Sequence, residues 1–194
     1  MAKKLTLKLD LISLVKSAAG SDRDKAQAYI EALRDSDVKR EFGKRCIDSI
    51  IDRTLSGVDK NGKGFKKYSQ AYKKSDVFKI YGKTNTVNLK LTGEMQAAID
   101  VINVSPRTVT IGFISDTEND KAHGHVNGSN YLPVRDFWGI SEKEQIAILK
   151  DTLKDFSEPF DFSQSEQSDT SEPIEFIVGR QSRTFNTFES NDDG

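Results

Sequence analysis

The chain has one cysteine, Cys46, in 194 residues, so it can build no internal disulfide framework, and no CxxC pair offers a zinc site. That is compatible with assembly in a reducing cytoplasm. Histidine is almost as scarce. His123 and His125 are the only two, and zinc draws three or four converging ligands. Their HxH spacing sets the rings on opposite sides of a strand, or about 200° apart on a helix. No apolar run approaches the roughly 20 residues that cross a bilayer. Residues 1–10 alternate apolar and polar where a signal peptide needs a continuous apolar stretch. The chain is therefore read as soluble, with no export signal and no membrane contact. Apolar residues make up 36% and charged residues 30%, which supports a core for part of the chain only. One domain with appendages, or two small domains, fits this length. There is no internal repeat.

What the chain does have is charge, unevenly distributed. Residues 157–194 carry nine acids against Arg180 and Arg183, a net of −7, so the rest carries +6 of the total −1. Ten Lys and Arg between 53 and 90 face only Asp59 and Asp76. A basic body precedes an acidic tail.

Leu5, Leu7 and Leu9 alternate with polar residues as in a half-buried strand. Ser21 and Asp24 resemble a helix start, and a helical stripe continues through Phe42, Ile47 and Ile50 to Leu55. This predicts a long helix over about 22–55, broken near Asp35–Asp37. Residues 56–85 read as an exposed arm, with Phe65 and Tyr68 pinning its base. Val87, Leu89 and Leu91 alternate again, and Thr92 is placed to cap a short helix carrying Met95 and Ala98. Residues 101–104 and 109–113 predict a hairpin around Pro106. A helix is expected from Asp116 to Val126, ended by Gly128. Ser141 and Glu144 form a capping box for the last helix. Beyond Ser157 the composition is too polar to fold alone, although Ile174–Val178, centred on Phe176, could add a strand to an open edge.

The chemistry-like fragments fail at their decisive positions. Asp59-Lys60-Asn61-Gly62-Lys63-Gly64 starts like an EF-hand loop, but position 12 is Gln70 rather than a bidentate Glu. Gly82-Lys83-Thr84 ends like a P-loop, but its opening glycine is Val77. Cys46 has no identifiable base and reads as a core residue. No catalytic residue, metal ligand or cofactor is expected. The lysines of the arm, among them Lys63, Lys66, Lys67, Lys73 and Lys74, interleave with Tyr68 and Tyr72. Such a pattern suits phosphate contacts with base stacking, or docking on an acidic protein surface. His125, Leu132, Pro133, Phe137 and Gly139 read as a structural corner, with Arg135 tying it together or facing a partner.

Taken in series, Gly57-Val58-Asp59 through Phe65, Tyr68 and Tyr72, then Leu91-Thr92-Gly93-Glu94-Met95, then Ala122–His125 and Leu132-Pro133-x-Arg135-x-Phe137-x-Gly139, resemble the phage virion morphogenesis family of tail-completion and head-to-tail joining proteins. The match spans roughly residues 25–155. The resemblance implies an α+β domain over 1–156, with a long N-terminal helix on a small antiparallel sheet, a long basic loop at 57–85 and an acidic extended tail at 157–194. It implies a non-enzymatic virion subunit of the neck or tail end. Such a subunit would be present in the host cytoplasm during assembly, and would form a ring with copies of itself. Its other partners would be neck, connector or tail-terminator proteins, with contact to packaged DNA as a further expectation. The segment 74–86 is longer than the family pattern, and the tail after Phe156 is an addition to it. The alternative is a DNA-binding module that uses the Lys-rich loop 60–83.

Overall fold

The computed structural model describes residues 3–129 and 132–157. They form an α+β fold in which helices pack on a small antiparallel sheet. Strand β1 (Thr6–Asp10) ends where Asp10 turns to cap the next helix, its Oδ1 accepting from the N–H groups of Ile12 and Ser13 at 3.0 and 3.2 Å. That helix, α1 (Leu11–Ala19), buries Leu11, Leu14, Val15 and Ala18, which are spaced to share one face. The sequence reading passed over it, although both the cap and the spacing are present.

The predicted 22–55 helix is two helices. α2 (Arg23–Ala32) is capped by Asp22 rather than Ser21, and α3 (Ser36–Leu55) by Asp35. The break thus falls just before Asp35, whose carboxylate accepts from the Asp37 N–H at 2.7 Å. α3 is the central element. Phe42, Cys46 and Ile50 are fully buried along it, and it lies against strands β2 (Ile99–Val104) and β3 (Thr108–Phe113). Gly43 sets the distance. A Cβ there would stand 2.7 Å from a methyl of Val101 and 2.9 Å from one of Val109.

β2 and β3 form the expected hairpin, and β1 joins its other side to give the order β1-β3-β2. Leu9 pairs with Val109 and Leu7 with Ile111, and a bulge between Val101 and Asn103 interrupts the β2 register. The short helix α6 (Glu94–Ala97) starts one residue later than expected, at Gly93 with φ +99. Thr92 Oγ1 accepts a long 3.4 Å bond from the Glu94 N–H and donates to Glu94 Oε2 at 3.0 Å. α7 (Asp116–Asn127) is capped by Ser115 and ended by Gly128. α8 (Glu142–Ser157) packs on α1 and α3, and its capping box is present: Ser141 Oγ accepts from the Glu144 N–H at 3.3 Å.

Residues 56–91 carry no strand of the sheet. They hold two single-turn helices, α4 (Gln70–Lys74) and α5 (Asp76–Ile80), where an irregular loop was expected. The Val87-Leu89-Leu91 alternation also misled. Val87 is buried, Leu91 is exposed, and Leu89 takes a left-handed backbone with φ 51. The proposed Phe176 strand lies outside the described residues.

Candidate ligand pocket at the root of the arm

The arm is held by backbone carbonyls and charged side chains more than by apolar burial. Phe65, 9% exposed, plugs its base into the core. Asp59 closes the preceding turn by accepting from the N–H groups of Asn61 and Lys63, both at 2.8 Å, so the EF-hand echo is a polar turn. Lys60 then joins the arm to the corner twice: its N–H donates to the Asp136 carbonyl at 2.9 Å, and its Nζ pairs with Asp136 at 2.8 Å. From α3, the Arg53 guanidinium donates to the carbonyls of Phe137 (3.1 Å) and Gly139, and pairs with Glu144 at 3.3 Å. The Arg135 N–H donates to the His125 carbonyl at 2.7 Å, fastening the corner to the end of α7.

Between arm and corner lies a cavity of about 610 Å³, within the roughly 300–1,000 Å³ range of small-ligand pockets. Lys66, Lys67, Lys83, Lys90 and Arg135 line it, and no Asp or Glu does so among the described residues. Its apolar and aromatic wall is Tyr68, Tyr72, Leu89, Leu91, Leu132 and Pro133. The arm supports this wall from behind through a cluster of Tyr68, Tyr72 and Phe78, with ring centroids 5.0–5.7 Å apart. The left-handed Leu89 belongs to the same wall, and strain of that kind gathers at binding sites.

Arg135 is the deepest cation, 6% exposed. Its Nε and Nη2 both reach the Lys66 carbonyl, at 3.4 Å, long for N–H···O bonds, and its Cζ stands 5.6 Å from the centre of the Tyr68 ring. Burial pushes the guanidinium below its ordinary pKa, against an upward pull from Tyr68 and Tyr72. Lys83 approaches the same ring at 5.9 Å, and donates to Asn88 Oδ1 at 2.7 Å and to the Lys90 carbonyl. Burial, and then Lys90, lower its pKa. The imidazole of His125 is pushed down to about 4, first by burial and then by Arg135, so it is neutral at pH 7. Its Nδ1 is buried with no hydrogen-bond partner.

Several expected site residues therefore converge. Lys66, Lys67, Tyr68, Tyr72, Arg135, His125, Leu132 and Pro133 share the cavity wall. Phe137 (1% exposed) and Gly139 lie beside it, in the corner that Arg53 clamps. Lys63 sits in the Asp59 turn, while Lys73 and Lys74 lie on α4 away from the cavity wall. Phe176 lies outside the described residues. The sequence assigns no site role to Lys83, Lys90, Leu89 or Arg53. Their roles depend on contacts across a fold, and no local spacing signals them.

Besides charge and shape, the pocket wall carries the hydroxyls of Ser69 and Ser129. Cys46 is fully buried in α3, its thiol pushed up to about 12 by burial and then by Glu144. Among the described residues no three His, Cys, Asp or Glu side chains gather into a group able to hold a metal. No family model matches the chain, and no curated protein or solved structure is detectably similar to it.

Proposed function

We propose that this chain is a structural virion protein of the head-to-tail interface, a neck or tail-completion subunit that assembles in a ring and joins tail to head. The observation that carries this reading is the meeting of two segments of the family-like pattern. Arg135 of the second reaches Lys66 and Tyr68 of the first, about 70 residues earlier in the chain. Two fragments of the pattern that lie far apart in sequence thus form one junction in the fold.

The arm suits a contact with neighbours. Val77 and Ile80 of α5, with Tyr81 at its C-terminal cap, are exposed at 42, 77 and 47% and offer an apolar contact surface. In the ring, this arm and the acidic residues 157–194 of the next subunit would set the register through opposite charge. Light scattering of the purified protein, alone and with isolated tails, tests the proposal. A ring, or several copies joining each tail end, is expected, and removing residues 157–194 or raising salt should weaken the assembly. A monomer indifferent to tails would sink it.

The DNA-binding alternative draws on the exposed ammonium groups of Lys63, Lys66, Lys67 and Lys74. It predicts duplex binding that falls steeply with salt.

A further inference from the structure

The cavity at the root of the arm has a chemistry that assembly does not explain. A buried cation is ordinarily matched by a carboxylate, because an uncompensated one is costly. Arg135 is 6% exposed, and no carboxylate pairs with it among the described residues. Of its five N–H donors, two share one carbonyl at 3.4 Å. Lys83 flanks the same aromatic ring from within the same wall. His125, whose Nδ1 is buried without a hydrogen-bond partner, also lines this cavity.

We propose that this cavity binds an oxyanion carried on an apolar or aromatic body, with Arg135 and Lys83 holding the anion and Leu89, Leu132 and Pro133 holding the body. Charge selects the anion, since five cations and no acid among the described residues face the space. Size selects the body: about 610 Å³ exceeds the needs of a lone phosphate, and the remaining wall is apolar. Depth selects against duplex DNA, whose phosphates lie on a broad rod that does not enter a recess to reach a guanidinium 6% exposed. The site is independent of ring formation, and a monomer would carry it equally.

Titration calorimetry on the full chain at low salt tests this, using phenyl phosphate, phenylacetate and inorganic phosphate as probes. Phenyl phosphate or phenylacetate should bind at least tenfold more tightly than inorganic phosphate, roughly what burial of one ring contributes. The tighter of the two identifies the natural anion as a phosphate ester or a carboxylate. Arg135→Gln should weaken binding about tenfold or more and Lys83→Met about threefold to tenfold, the scale of lost charge-assisted bonds. Lys79→Met, on the arm but outside the cavity, should leave it within about twofold. Should Arg135→Gln fail to fold, as circular dichroism would reveal, Lys83→Met carries the test. No binding of any probe, or unchanged binding in Lys83→Met, overturns the proposal. So does inorganic phosphate binding as tightly as the aromatic probes, or a DNA duplex that binds with the same dependence on Arg135.

Discussion

Helix α3 buries Val38, Phe42, Cys46, Ile47 and Ile50 as it packs on the sheet and α8, whereas α4 and α5 on the arm bury no residue completely. The two regions belong to one fold and are stabilised differently. The body relies on apolar area and close packing, both non-directional and both large. The arm relies on a few directional contacts: Lys60 to Asp136, and Arg135 to the Lys66 carbonyl and the Tyr68 ring. A region held in the second way can open without unfolding the first, and such regions commonly meet ligands and partners.

The largest effect is expected in the body. Phe42→Ala should lower the unfolding free energy by about 3–5 kcal/mol in denaturant titration, since Phe42 is 0% exposed and its removal leaves a cavity in the core. A loss below about 1 kcal/mol would mean that the body is as loosely held as the arm.

Acid separates the regions next. The folded pKa of His125, about 4, lies below its ordinary 6.5, so the folded state binds fewer protons than the unfolded state between those values. Its contribution is fully present above pH 6.5 and is lost as pH falls towards 4. The loss approaches about 3 kcal/mol. Comparing the pH dependence of unfolding in wild type and His125→Gln isolates this slope from that of the carboxylates, and identical slopes would refute it.

Gly43→Ala sharpens the account of packing. Alanine normally gains about 1 kcal/mol over glycine inside a helix. Here its methyl would meet Val101 and Val109 at 2.7 and 2.9 Å, and neither branched side chain can swing far. A net loss of about 1–2 kcal/mol is expected, read from the thermal midpoint. The smallest effect belongs to Lys60→Met. Lys60 and Asp136 are 40 and 28% exposed, so global stability should change by less than about 1 kcal/mol. Amide exchange across residues 60–72 should nevertheless quicken, and no change there would mean that the pair does not fasten the arm.

The same division explains what the sequence discloses. β1, the hairpin, α7 and α8 follow from alternation, helical spacing and the Ser141–Glu144 box, each a local rule acting on neighbours. α1 obeys the same rules, with Asp10 as its cap and Leu11, Leu14, Val15 and Ala18 on one face. The pocket is different. Lys83 meets Tyr68 from 15 positions further along the chain, past α4 and α5, and Arg135 meets Lys66 across the domain. The aromatic and basic residue types were visible, but their convergence was not. Glu144 shows both cases in one side chain: the oxygen that caps α8 was legible, and the oxygen that takes Arg53 was not.

Cys46 makes the body a reporter on itself. It is the chain's one thiol, fully enclosed on α3, with its ionisation suppressed by burial. A thiol reagent therefore reads the packing around α3 and not the exposed arm, and reacts when that packing opens. The labelling rate becomes a clock for whole-domain opening. Run beside amide exchange at residues 60–72, it would time the two regions separately in an unmodified molecule.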